Sequence, residues 1–161
     1  MKLISHRGNV KEPNPSRENT PSYIDTAISS GYDVEIDVRY INDKFYLGHD
    51  TPDYEVTEKW LKLRKDKLWI HCKDLESTSK LLEIGGFTFF CHTSDPYVLT
   101  SNGYVWVHDL DLKLSKDTTI IPLLSEDDIK NYTNDDMVYA VCTDYVSFAE
   151  FDLKQKGLYN G

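Results

Sequence analysis

Short apolar segments alternating with amphipathic ones predict an α/β protein: a compact or partly reduced (β/α) TIM-type barrel with shortened helices and no capping insertion. Three observations carry this reading. Strand-like runs recur as "KLISHRG", "DVEIDV", "KLWIHCK", "FTFFCHTS", "YVWVHDL", "TTIIPLL" and "MVYAVCTDYV". Helical segments lie between several of them, which implies a parallel sheet covered by helices. About seven such units point to a closed or nearly closed barrel, yet 161 residues fall short of the roughly 200 or more that such barrels take. Several helices must therefore be missing or cut to single turns, above all between "YVWVH" and "IIPLL". A doubly wound open sheet is the alternative arrangement. No linker or repeat divides the chain, so residues 1–161 are expected to form one domain.

The elements follow in order. The buried strand "KLISHRG" leads into the polar loop "NVKEPNPSRENTP". "SYIDTAISSG" then places Tyr23, Ile24, Ala27 and Ile28 at helical spacing and stops at Gly31. Residues 33–50 read as a hairpin. Side chains alternate along a strand, so Glu35 and Asp37 share one face while Val34, Ile36 and Val38 share the other. A turn at "NDK" returns His49 and Asp50 roughly opposite Asp37. "VTEKWLKLRKD" offers one more helix, and the stretch from Thr51 to Lys67 is little more than a connector. "LESTSKLLEIGG" is a helix closed by glycines, "DPYVLTSNG" is a short segment, and "SEDDIKNY" and "SFAEFDLKQKG" are the last helical pieces.

Composition narrows the function. Hydrophobic residues at 40% and charged residues at 28% describe a folded globular chain. A net charge of −9 argues against nucleic-acid partners, and an anionic substrate would need local neutralisation. The three cysteines, Cys72, Cys91 and Cys142, sit in apolar runs without CxxC spacing. They read as buried thiols in a reducing compartment, not as a disulfide framework or zinc knuckle. No run is long enough to cross a bilayer, and a site beginning at residue 6 leaves little room for a leader. The expected location is cytoplasmic, with no stable membrane insertion.

The polar residues gather at the carboxyl ends of the strands, where barrels and open sheets alike collect their chemistry. These are His6 and Arg7, Glu35 and Asp37, His71 and Lys73, His92, His108 and Asp144. Two carboxylates two residues apart can grip one hard cation, and histidine is acceptable beside them for magnesium-like and first-row metals. His6 and His49 could flank a bound group as general base and acid. Arg7 and Lys73 supply fixed positive charge suited to a phosphate. Asp144 reads as a loop anchor or an ion-pair partner of Arg7. Trp106 reads as a core residue that could also stack on a substrate, and His92 and His108 could line the rim. The combination suggests metal-assisted attack on a phosphate ester.

"HRG", then "ENT" at Glu18-Asn19-Thr20, then "EIDV", then "GHD", then a strand ending in Lys73 resembles the glycerophosphodiester phosphodiesterase family. That family belongs to the superfamily of phosphatidylinositol-specific phospholipases C and spider-toxin phospholipases D, all on (β/α) barrels. The resemblance implies that His6 and His49 are the acid–base pair, that Glu35, Asp37 and His71 hold a divalent metal, and that Arg7 and Lys73 contact phosphate. It implies a small-molecule phosphodiester or lysolipid substrate and a place in lipid metabolism. The "ENT" stretch would brace the first loop, with Asn19 structural. The chain departs from the family where a third metal-binding carboxylate belongs two positions before the lysine: that position is His71. Magnesium or calcium is the first expectation, and manganese or another first-row metal the second, because of His71. Two further outcomes stay open: a catalytically weak phosphate-binding protein, or a lyase-type enzyme giving a cyclic phosphate.

Overall fold

The computed structural model describes residues 1–110, 112, 117–133 and 138–160. Strand β1 is Lys2–His6, helix α1 Pro21–Ser29, β2 Asp33–Ile41, β3 Lys44–Leu47, β4 Tyr54–Val56, α2 Glu58–Lys62 and β5 Leu68–Cys72. Then come α3 Leu75–Ile84, β6 Phe89–Phe90, β7 Tyr97–Leu99, β8 Val105–Val107, β9 Thr119–Pro122, α4 Glu126–Asn131, β10 Ala140–Thr143 and α5 Val146–Gln155. Helix starts follow local chemistry. Thr20, Thr57, Asp74 and Ser125 each accept a hydrogen bond from a first-turn N–H, and Ser125 forms a capping box with Asp128.

The parallel strands run β6-β5-β2-β1-β10-β9-β8 across one curled sheet. The last strand, β10, lies beside the first, pairing Ile4 with Cys142. A doubly wound sheet runs outward from a central pair in both directions, whereas here the chain proceeds in one sense, from β1 out to β6 and then from β8 in to β10 beside β1, as it does around a barrel. The fold is thus a mixed α/β fold with a strongly curled sheet in barrel order. Among the described residues no strand pairing joins β6 to β8. At that seam β7 runs antiparallel to β8, and Ser101 bridges to β6: its N–H donates to the Phe89 carbonyl at 2.8 Å, and the Phe89 N–H donates to Ser101 Oγ at 3.0 Å.

Several sequence expectations change here. "DPYVLTSNG" contributes an ordered strand, because its Tyr97–Leu99 backbone pairs with Val105–Val107. The connector after His49 carries β4, which pairs with β3 to extend a β2–β3–β4 meander. Helix α2 is only five residues long. Among the described residues no helix follows β6 or β8, in line with the expected economy; part of the stretch between "YVWVH" and "IIPLL", and Met137 at the start of "MVYAVCTDYV", lie outside the described residues.

Alternation divides each strand between two layers. Val34, Ile36 and Val38 face outward into a cluster with Ile24, Leu61, Leu81 and Phe45, so α1, α2 and α3 cover that side. Leu3, Ile121 and Val141 face α4 and α5 through Ile129, Val146, Ala149 and Leu153. Inside the curl, Ile4, Trp69, Phe90, Trp106, Ile120, Ala140 and Cys142 form an apolar floor. Beyond that floor the inward positions become polar, and this is where the site lies. Of the three thiols, Cys72 and Cys142 are buried as expected. Cys91 is exposed, a correction that follows from its position one residue past the end of β6. No helix among the described residues is long and apolar enough to cross a membrane.

Candidate active site

His6 closes β1, and the chain turns away at once. Arg7 adopts a φ of 53° and Gly8 one of 89°, and the Arg7 N–H donates to the Glu35 carbonyl at 2.9 Å. A left-handed arginine costs roughly 1–2 kcal/mol, and the hydrogen bonds around the turn hold it there. Gly8 is required because a Cβ would come within 3.0 Å of Tyr23 Cδ1 and 3.2 Å of the Ile24 nitrogen.

His6 Nδ1 lies 2.7 Å from Asp144 Oδ1, and its Nε2 lies 3.8 Å from Glu35 Oε2. Burial works against the imidazolium, but the hydrogen bond to Asp144 and the charges of Glu35 and Asp144 outweigh it, so the His6 pKa is raised. Asp144 also accepts the Asn9 amide at 2.7 Å. Burial pushes its carboxyl up, yet His6 and Asn9 hold it below the ordinary carboxylate range. The expected Arg7–Asp144 ion pair gives way to this arrangement: Arg7 reaches Glu18 Oε2 at 3.2 Å and Asp37 Oδ2 at 3.1 Å. Glu18 also receives the Asn9 amide at 2.9 Å, which ties the two ends of the β1–α1 loop together.

Glu35 and Asp37 project inward from β2, as alternation requires. Asp37 is fully buried. The Asn19 amide donates to its Oδ2 at 2.9 Å, and its own N–H donates to Asn19 Oδ1 at 3.0 Å. His71 Nδ1 stands 3.2 Å from Asp37 Oδ1, and Lys73 Nζ stands 3.7 Å away. The Arg7 and His71 approaches are charge contacts off the hydrogen-bond line, so Arg7 Nε and Asp37 Oδ1 both remain without a hydrogen-bond partner among the described residues. Burial would raise the Asp37 pKa, but His71, Arg7 and Asn19 hold it well below the usual range. Glu35 behaves in the opposite way: burial first, then the Asp37 charge, pushes its carboxyl up.

His49 follows Gly48, whose N–H donates to the Asp37 carbonyl at 3.1 Å. Its Nδ1 lies 2.7 Å from Asp50 Oδ1, and Arg39 holds its carbonyl at 2.8 Å. A cavity of about 780 Å³ at the carboxyl ends of the strands is lined by His6, Arg7, Glu35, His49, His71 and Lys73. Those six candidate residues share one space, and Asp37 lies beneath it.

His92, Trp106 and His108 line the same cavity. Trp106 is buried against Phe90, with ring centres 4.5 Å apart. His71 lies 4.8 Å from His92, and His92 4.0 Å from His108, measured between ring centres. Burial, then repulsion from His108 and His71, pushes His92 down to about 4, and burial also lowers His108. Sequence reasoning missed the partnership of Asp144 with His6, the bridging role of Asn9, and this imidazole row. Asp144 could have been found from its strand-end position; the row depends on which strands become neighbours.

One oxygen from Glu35, one from Asp37 and one nitrogen from His71 all lie within 4.8 Å of one another. Among the described residues, Glu35 Oε2 and Asp37 Oδ1 are buried acceptors without a donor. Two orphaned carboxylate oxygens beside an imidazole fit a divalent cation.

The fold and the site together define an α/β protein with a curled sheet whose cavity combines carboxylates, imidazoles and fixed cations. No family model and no curated protein matches the sequence. Solved structures do share the fold. The glycerophosphodiester phosphodiesterase from Agrobacterium tumefaciens str. C58 aligns with a TM-score of 0.58 at 15% identity, over 92% of this chain and 97% of that one. A glycerophosphoryl diester phosphodiesterase from Parabacteroides distasonis ATCC 8503 aligns with a TM-score of 0.56 at 12% identity, over 96% and 86%. At such identities the likeness is one of fold.

Proposed function

We propose that the protein is a metal-dependent phosphodiesterase that cleaves a glycerophosphodiester-type phosphate ester by His6/His49 acid–base catalysis. The observation that supports this best is the shared cavity: His6 and His49 face one space with Glu35, Arg7, His71 and Lys73. In this reading residues 1–161 act as one barrel-type domain working in the cytoplasm, and its partner is a small-molecule phosphodiester or lysolipid.

Each residue then has a task. His6 lines the cavity and removes a proton from the attacking hydroxyl through Nε2, while Asp144 holds its Nδ1 side and favours the imidazolium that results. His49, the more exposed of the two, returns a proton to the departing oxygen. Arg7 and Lys73 offset the phosphate charge. Glu35, Asp37 and His71 would hold a divalent cation, which when bound supplies Lewis-acid stabilisation of a phosphoryl oxygen. Water as the attacking group gives hydrolysis, and a hydroxyl of the substrate gives a cyclic phosphate.

A second reading rests on Asp37. Arg7, His71 and Lys73 already surround it, so the site can neutralise its own carboxylates and bind phosphate with little turnover. The deciding experiment is hydrolysis of a panel of glycerophosphodiesters and lysolipids with added magnesium, calcium or manganese, and with chelator, using His6→Ala as control. Metal-dependent turnover abolished in His6→Ala is the expected result. Phosphorus NMR of the products separates hydrolysis from cyclisation. Phosphate binding without turnover on any substrate would establish the second reading.

A further inference from the structure

Two of the three thiols meet at the rim of the cavity. β5 and β6 run parallel and in register, Ile70 with Phe89 and His71 with Phe90, so the next position sets Cys72 beside Cys91. The two chains stay side by side past that last pair, because the rings of Phe90 and His92 both stack on His71, with centres 5.0 Å and 4.8 Å away. Cys91 lies between those two inward residues and so points to the outer face of the sheet. Cys72 points there as well, into the cluster that holds Val38 and Phe89. Neighbouring strands lie about 4.8 Å apart, within the roughly 4.4–6.8 Å between α-carbons that a disulfide spans. Cys91 is one residue beyond β6, so its side chain can turn without breaking the strand pairing. The cavity reaches over these strand ends, where Cys72 and Cys91 line it together with Leu75 and Thr78 of α3. Cys142 is placed differently: its register partners on the neighbouring strands are Ile4 and Pro122, not a cysteine.

We propose that Cys72 and Cys91 form a peroxide-responsive modification site that closes to an intramolecular disulfide at the cavity rim. The exposed Cys91 thiol attacks a hydroperoxide. Its sulfur takes a hydroxyl, the O–O bond breaks, and the thiol proton leaves with the second oxygen, as water or as the alcohol of an organic peroxide. The Cys72 thiol then attacks the Cys91 sulfenic acid. The S–S bond forms, the S–O bond breaks, and the departing hydroxide carries off the Cys72 proton as water. Two thiols are oxidised and one peroxide is reduced. Cellular thiols reverse the step by exchange, so in a reducing compartment the bond is transient. Cys72 lies between His71 and Lys73 in the chain. Drawing the two sulfurs into bonding distance therefore shifts the rings that stack on His71, and a misplacement of about 1 Å can cost about 10²-fold in rate. That effect on turnover rests on the phosphodiesterase reading; the disulfide itself does not.

The test starts from the unaltered, fully reduced protein, so it needs no variant to fold. The protein is treated with hydrogen peroxide, freed of it, alkylated and digested for mass spectrometry. The expected result is a peptide joining Cys72 to Cys91, with Cys142 still a free thiol and the bond fully reversed by dithiothreitol. Turnover in the diester assay should fall about tenfold or more in the oxidised protein, recover with dithiothreitol, and persist through the same treatment in Cys91→Ser. Thiols that survive peroxide, oxidation that runs to the sulfinic acid on Cys91 while Cys72 stays free, or a bridge between two chains would each overturn the proposal and leave the phosphodiesterase reading intact. Turnover unchanged by the bond would overturn its effect on the site. A Cys72–Cys91 disulfide in a protein that cleaves no diester in either redox state would uphold the modification site and count against the phosphodiesterase reading.

Discussion

Asp144 Oδ1 stands 2.7 Å from His6 Nδ1, joining the last strand of the sheet to the first across 138 residues of sequence. His6 titrates above its ordinary value of 6.5 and Asp144 below its ordinary 3.8. The pair's stabilising effect is therefore present above the ordinary Asp value and below the ordinary His value. It declines as pH rises through the raised His6 value, and as pH falls through the lowered Asp144 value. In metal-free Asp144→Asn the His6 titration should move to lower pH, as followed by proton NMR. The stability deficit of the variant in urea unfolding should be larger at pH 5 than at pH 9. Equal His6 midpoints in the two proteins would show that Asp144 does not set the histidine's charge.

Among the described residues, His49 has only its neighbour Asp50 as a side-chain hydrogen-bond partner. If it donates a proton to the departing oxygen, its value depends on how much that oxygen needs one. His49→Ala should lose about 10²–10⁴-fold in kcat on an alkyl phosphodiester and far less on a 4-nitrophenyl ester, whose leaving group departs without a proton. Equal losses on both substrates would count against the acid role.

Asn19 satisfies Asp37 through two hydrogen bonds from a left-handed backbone position, φ 59°. Asparagine tolerates that conformation better than most residues. Asn19→Ala leaves the buried Asp37 backbone N–H without its acceptor and a carboxylate oxygen short of a donor, so a loss of about 2–4 kcal/mol is expected in denaturant unfolding. A loss below about 0.5 kcal/mol would mean that the brace is dispensable.

Gly48 takes a φ of 144°, and a Cβ there would overlap the Thr51 carbonyl. Gly48→Ala must displace the segment that carries His49. We expect turnover to fall at least as far as in His49→Ala, with the unfolding midpoint lowered as well, because Gly48 is buried and directly follows Leu47 of the outer apolar cluster. Turnover like that of the unaltered protein would show that this loop does not position the acid.

Much of the site was legible along the chain because β-strand alternation is local. The spacing of Glu35 and Asp37 requires that they share a face whatever the strand pairs with, and the same holds for His71 and Lys73. Likewise the "HRG" turn, the "ENT" stretch and the "GHD" segment each carry their residues within a few positions of a strand end. Local patterning also marked most of the helices, whose starts at Thr20, Asp74 and Ser125 depend on contacts within one turn.

What the tertiary structure alone decided is which of those strand ends meet. Pairing of β10 with β1 makes His6, and not Arg7, the partner of Asp144, and frees Arg7 for Glu18 and Asp37. Placement of β6 beside β5 and curling of the sheet toward β8 stack His71, His92 and His108, residues with no local relation in sequence. The exposure of Cys91 and the strand at Tyr97–Leu99 are decided in the same way, by where β6 stops and what closes the seam beside it. Alternation and capping are short-range and can be read from residue types. Neighbour identity depends on the sheet's order and curvature, which emerge from burying all three apolar clusters at once.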